Sequence, residues 1–240
     1  MLNKETRDQI VALIKREVVP AIGCTEPIAV ALCVAKATET LGTMPESIDV
    51  LLSGNMLKNA MGVGIPGTGM SGLPIAIALG AIVGKSEYQL EVLKDSTPEH
   101  VEKGKAYIAE NRINISLKEN ITEKLYIEVT VKAGDNTASA IIAGGHTHFI
   151  SITHNGEVLL SSKHENGAEV EDKDIELSLR MVYEFADTTP VEEIQFINEA
   201  RRLNENASKK SLEGNYGHEL GKTLSRPLGR GIMGDSMFSH

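Results

Sequence analysis

The alternation in Leu125-Tyr126-Ile127-Glu128-Val129-Thr130-Val131-Lys132 sets the fold class. Leu125, Ile127, Val129 and Val131 alternate with Tyr126, Glu128, Thr130 and Lys132. A period of two sends successive side chains to opposite faces, so the run predicts a half-buried strand. Gly134-Asp135-Asn136 predicts a turn into a second strand over 137–143. A third strand follows at 147–153. Asn155-Gly156, a strong hairpin signal, then leads into 158–161. Strands joined by tight turns predict an antiparallel meander and not βαβ units.

Working outward, the period lengthens. Ile10, Leu13, Ile14 and Val18 recur at helical spacing, which predicts a helix over 4–19 that Pro20 and Gly23 end. Residues 27–41 are apolar on nearly every face and predict a buried helix. A short strand is expected at 47–53 and a helical turn or two at 55–61. Further helices are expected at 73–83, 98–111, 172–187 and 191–206, with one more in the polar, glycine-rich segment 212–240. The fold class is therefore α+β: an antiparallel meander sheet packed with helices, plus flanking helices belonging to a mostly helical catalytic part. The expected division is an α+β part at 46–165 and a helical part at 1–45 and 166–240.

Composition narrows the function classes. At 240 residues with 41% hydrophobic content the chain can bury a sizeable core. Its net charge of −9, from 24 basic and 33 acidic residues, argues against a nucleic-acid partner. It has no Trp, so base-stacking platforms are scarce as well. The longest apolar run, 73–84, is shorter than the roughly 20 residues a membrane span needs. The charged N-terminal segment 1–16 does not read as a signal peptide. Two cysteines in an acidic chain predict a cytoplasmic protein without a disulfide framework.

Ile22-Gly23-Cys24-Thr25-Glu26-Pro27 carries the chemistry. Thr25, Glu26 and Pro27 suit the opening of a helix. A thiol held just before a helix N-terminus lies in positive partial charge, so the Cys24 pKa is expected to fall. Cys33, inside the apolar helix, reads as core. Asn55, Lys58 and Asn59 share one helix face, which suits either a carboxylate grip or a solvated surface. Gly62-Val63-Gly64-Ile65-Pro66-Gly67 matches G-x-G-x-x-G by letter only. Helix precedes it, Pro66 is misplaced, and no acid-ended strand follows. Pro66-Gly67-Thr68-Gly69-Met70-Ser71-Gly72 remains as an anion cradle or a plain turn. His146 and His148 share one side of a strand, but a third metal ligand is missing from the pattern.

Together, Gly23-Cys24-Thr25-Glu26-Pro27, Asn55-x-x-Lys58-Asn59, Pro66-Gly67-Thr68-Gly69-Met70, Leu90-Glu91-Val92-Leu93-Lys94-Asp95 and Gly144-Gly145-His146-Thr147 resemble the L-cysteine desulfidase family, a relative of the iron–sulfur L-serine dehydratases. The resemblance implies a carbon–sulfur lyase that converts L-cysteine to pyruvate, ammonia and hydrogen sulfide with a [4Fe-4S] cluster as Lewis acid. It implies catalytic roles for Cys24, Glu26 and Lys58, and substrate binding by Thr25, Asn55, Asn59, Gly67, Thr68, Gly69 and His146. Cys24 would be the base at Cα or, alternatively, a cluster ligand. The family's cluster cysteines lie in a later half that this chain does not match. The expectation is thus a fragment or subunit, inactive alone, whose partner is that half. It would bind no metal itself and would self-associate through apolar surface on the helices at 27–41 or 73–83. L-serine as substrate, and a non-catalytic amino-acid-binding module, are the alternatives.

Overall fold

The computed structural model describes residues 2–162, 175–215 and 219–225. The chain divides into two compact units, Met1–Val19 with Asp172–His240, and Pro20–Glu171. Helix α1 (Lys4–Glu17) starts where the Asn3 side chain accepts from the Thr6 amide. Helix α2 (Thr25–Leu41) stops at Gly42, whose φ of 77° is left-handed backbone that glycine adopts without a steric penalty. Strand β1 (Ser47–Leu52) leads into α3 (Gly54–Ala60), capped by the Ser53 hydroxyl. The small hairpin β2 (Gly64–Ile65) and β3 (Met70–Ser71) precedes α4 (Leu73–Ile82). A tight helical turn at Ser86–Glu91 and α5 (Pro98–Ala109) follow, α5 being opened by a Thr97–His100 capping box. Next come β4 (Ile113–Leu117), β5 (Tyr126–Ala133), β6 (Asn136–Ala143), β7 (Phe149–His154) and β8 (Glu157–Ser161). The first unit is completed by α6 (Leu179–Thr188), α7 (Val191–Ile194), α8 (Asn198–Glu213) and α9 (Leu220–Ser225).

The unit at Pro20–Glu171 is built on a six-stranded sheet in the order β4-β1-β5-β6-β7-β8. From β5 to β8 it is the meander that the alternation predicts, antiparallel at each step. Strand β1 runs antiparallel to β5 and parallel to β4. Ile48 therefore pairs with Val131 on one side and Ile113 on the other. Ile127, Val129 and Val131 are fully buried, as the pattern requires. Helix α2 packs on β5, β6 and α4, with eleven of its seventeen residues buried, so it is the central helix of this unit. Its seam with α4 is close: a Cβ on Gly80 would stand 2.6 Å from the Ala31 carbonyl oxygen.

One strand is unforeseen and two expectations change. Strand β4 has no clean alternation of burial and pairs in parallel with β1, distant in sequence. Helix α2 belongs with the sheet, so the division falls at Pro20 and Glu171 and not at residues 45 and 166. The helices at 27–41 and 73–83 present no broad apolar face, since most of their apolar residues lie inside the core of this unit.

In the other unit, Arg7 Nε donates to Glu193 Oε2 at 3.0 Å and Nη2 donates to Oε1 at 3.2 Å, tying α1 to α7. Leu179, Val182 and Tyr183 form an exposed stripe on α6. The start of the helix expected at 172–187, and all of segment 226–240, lie outside the described residues. No helix among the described residues is long and apolar enough to cross a membrane.

Candidate functional site

Residues 22–26 enter α2 through a short loop that four other parts of the chain support. The Ile22 amide donates to the Leu90 carbonyl at 3.4 Å. Gly23 lies against Pro66, and a Cβ there would meet Pro66 Cγ at 3.1 Å. Cys24 occupies the N-cap with extended backbone, and its side chain does not cap the helix. The thiol is turned aside and donates to Glu26 Oε2 at 2.9 Å. Thr25 Oγ1 donates to the same oxygen at 3.3 Å. The other oxygen, Glu26 Oε1, accepts from Asn59 Nδ2 on α3 at 3.1 Å. His146, in the β6–β7 connection, is near enough for its charge to act on Glu26.

The electrostatics reverse one sequence expectation. The Cys24 thiol sits above the ordinary thiol range, first because of partial burial and then because of its hydrogen bond to the Glu26 carboxylate. Burial and an anion 2.9 Å away both disfavour the thiolate, and together they outweigh the helix N-terminus. Glu26 is held below the usual carboxylate range by the Cys24 hydrogen bond, with help from Asn59 and the charge of His146. At neutral pH the pair is thus S–H donating to an ionised carboxylate.

The structure brings Cys24, Thr25, Glu26 and Asn59 together, with His146 nearby. Lys58 and Asn55 are exposed on the same short helix as Asn59, and their side chains make no hydrogen bond or ion pair among the described residues. Thr68 is different. Its hydroxyl is buried and donates to the Ile65 carbonyl at 2.7 Å while accepting from the Met70 amide at 3.0 Å. Gly67 and Gly69 have φ of 77° and 66°, which the β2–β3 turn requires. This loop is therefore a built turn that backs Gly23, and the Thr68 hydroxyl is not directed at a ligand. His148 Nδ1 is paired with the Ala143 carbonyl at 3.0 Å. The supporting roles of Pro66 and Leu90 were not read from sequence, although both lie in the stretches singled out. Nothing local to them indicates that they meet residues 22 and 23.

A [4Fe-4S] cluster does not fit the donors present. Such clusters need a set of thiolates. Cys24 is committed to Glu26, and Cys33 is fully buried, donating to the Ala140 carbonyl at 3.2 Å. Burial pushes the Cys33 thiol far above its ordinary value. Among the described residues no group of three or more His, Cys, Asp or Glu is placed to hold a metal ion.

The fold and site define a helix-packed α+β protein with a thiol–carboxylate pair at the mouth of a central helix. Its similarities lie with proteins named UPF0597 protein. One from Bacteroides fragilis is 64% identical over 239 residues, spanning 100% of this chain and 56% of the relative. One from Porphyromonas gingivalis is 48% identical over 241 residues, covering 98% and 56%. One from Oleidesulfovibrio alaskensis is 41% identical over 227 residues, covering 94% and 53%. The chain spans about half the length of the curated relatives it matches. No protein-family profile matches the chain, and no solved structure does.

These relatives correct the resemblance drawn from the five stretches. Identity this high over nearly the whole chain leads to UPF0597 proteins and not to L-cysteine desulfidases or L-serine dehydratases. Desulfidase activity, its serine and binding-module alternatives, and the status of an inactive fragment of that enzyme fall with it. The five stretches do meet around Cys24, but convergence in space does not specify that reaction.

Proposed function

We propose that the Pro20–Glu171 unit carries an enzymatic acid–base site in which Cys24 exchanges a proton with a small carboxylate-bearing substrate. The observation that supports this is the 2.9 Å hydrogen bond from Cys24 Sγ to Glu26 Oε2. The thiol is exposed and the ionised Glu26 carboxylate touches its proton, so Glu26 is placed to receive that proton when Cys24 acts as a base on a bound substrate. The step needs no outside oxidant. Cys24 passes its proton to Glu26 as its sulfur removes a proton from a substrate C–H bond. The substrate carbanion takes a proton back from Sγ–H, after exchange with solvent, and Glu26 returns its proton to the thiolate. Asn59 fixes the carboxylate's orientation, and His146 tempers its charge. Lys58 and Asn55, one turn apart on α3, supply an unpaired ammonium and an amide suited to a substrate carboxylate.

The proposal extends to setting. Both described cysteines are free thiols, which suits a reducing cytoplasm. The exposed Leu179, Val182 and Tyr183 stripe on α6 suits self-association or contact with sequence of the kind the longer relatives carry. An acidic chain with no basic cluster is not matched to nucleic acid.

The test is hydrogen exchange at the substrate. A panel of small amino, hydroxy and oxo acids is incubated with the protein in D2O, and loss of the C–H signal is followed by NMR. At least one member should exchange, Cys24→Ala should abolish exchange, and Lys58→Met should raise the concentration needed for half-maximal rate. Exchange that persists in Cys24→Ala, or no exchange with any member, would sink the reading.

A further inference from the structure

Gln89 is the oddest backbone position among the described residues. Its φ of 52° and ψ of −126° lie outside the left-handed helical region and suit glycine. Its side chain is exposed, so packing of that side chain does not explain the conformation. The effect lies in the next peptide. In an unbroken helix the Leu90 carbonyl would accept from residue 94. Here the Lys94 amide donates to Glu91 instead, at 2.8 Å, and the Val92 amide donates to Gln89. The Leu90 carbonyl is thereby left for the Ile22 amide, two residues before Cys24. The turn is clamped from outside: Lys85 pairs with Asp95 at 2.7 Å, and the Ser86 amide donates to Glu39 of α2 at 2.7 Å. Strain persists only where the surroundings over-determine it, and these clamps do so.

We propose that Gln89 is a positioning residue: its glycine-like backbone turns the Leu90 carbonyl onto the Ile22 amide and so fixes the loop from which Cys24 meets Glu26. This rests on the Cys24–Glu26 pair as the working site. Gln89 does not touch substrate and acts through the loop.

The test reads Cys24 directly. Cys33 is buried, so iodoacetamide capture in the folded protein reports Cys24, confirmed by mass spectrometry of its peptide. The titratable group that acts on the thiol is Glu26 on its own helix, and His146 from the β6–β7 connection acts in turn on Glu26. The capture rate is measured against pH, with thermal melting alongside. Gln89→Gly adopts the same backbone without strain, so it should melt at or above the wild-type temperature and keep the wild-type profile. Gln89→Pro fixes φ at about −65° and so withdraws the turn that presents the Leu90 carbonyl. It should free the loop, moving the thiol midpoint down and raising the capture rate at neutral pH about threefold or more. If Gln89→Pro folds and leaves the profile on that of wild type, the positioning role is overturned. Asp95→Asn loosens the clamp from outside the turn and is judged by the same profile, should Gln89→Pro not fold. Glu26→Gln separates the two readings. A midpoint that moves in Glu26→Gln but not in Gln89→Pro removes only the positioning role. A midpoint unmoved by Glu26→Gln removes the acid–base pair itself.

Discussion

Cys24 Sγ donates to Glu26 Oε2 at 2.9 Å, two residues apart across the first turn of α2. Both ends of the pair shift: burial and then this bond raise the thiol, and the bond lowers the carboxylate. The helix N-terminus stabilises whichever of the two carries the negative charge, and the geometry gives that charge to Glu26.

Glu26→Gln removes the anion facing the thiol. The Cys24 midpoint should then fall toward the ordinary thiol value of about 8.5, and alkylation at pH 7.5 should accelerate severalfold. Stopped-flow or mass-spectrometric capture rates across pH 6–10 check this on the order of tenths of a pH unit.

Asn59→Ala takes the amide from Glu26 Oε1. The carboxylate is partly exposed, so the cost should be small, about 0.5–1 kcal/mol. The pH dependence has a definite sign. A carboxylate held low in the folded state adds stability above its unfolded pKa of about 4.3, lost as pH falls through the folded value. The difference between wild type and Asn59→Ala in urea denaturation should therefore be full at pH 6 and shrink toward acid. A constant difference would show that Asn59 acts through packing alone.

Cys33 works at the other end of the pH scale. Its raised thiol adds stability that is complete below the unfolded value of about 8.5 and is lost as pH climbs toward the folded value. Tyr107, pushed up to about 12 by burial, pulls the same way at higher pH. Cys33→Ala should cost about 1 kcal/mol at pH 7 through lost packing. It should also show a flatter fall in stability between about pH 9 and pH 10.5 than wild type. Parallel curves would remove Cys33 from the alkaline limb.

Gly80→Ala forces a methyl group within 2.6 Å of the Ala31 carbonyl oxygen in the α2–α4 seam. Backbone must move, at a cost of about 1–3 kcal/mol. Gly62→Ala, where a Cβ meets nothing within 4 Å, is the matched control. Equal melting temperatures for the two variants would contradict the close approach.

Much of the sheet was legible because its signal is local. Alternation in 125–132 placed Ile127, Val129 and Val131 inward, and Asn155-Gly156 marked the hairpin between β7 and β8. The buried helices announced themselves by apolar residues on every side. β4 was missed because a parallel edge strand takes its pairing from β1, more than sixty positions earlier in the chain.

The candidate site divides in the same way. Sequence alone picked out Cys24, Glu26, Asn59 and His146, since unusual residue types clustered beside turn and cap signals. It also set the limits of composition: two thiols, net negative charge, and no apolar run of membrane length. Tertiary structure decided the rest. It turned the Thr68 hydroxyl inward to close a turn, set Pro66 against Gly23, and brought the Leu90 carbonyl to Ile22. Above all it decided the sign of the Cys24 shift. A helix dipole can be inferred from the order of residues. How far the thiol is buried, and where a neighbouring carboxylate comes to rest, depend on side-chain rotamers and long-range contacts, and burial together with the carboxylate at 2.9 Å outweighs the dipole.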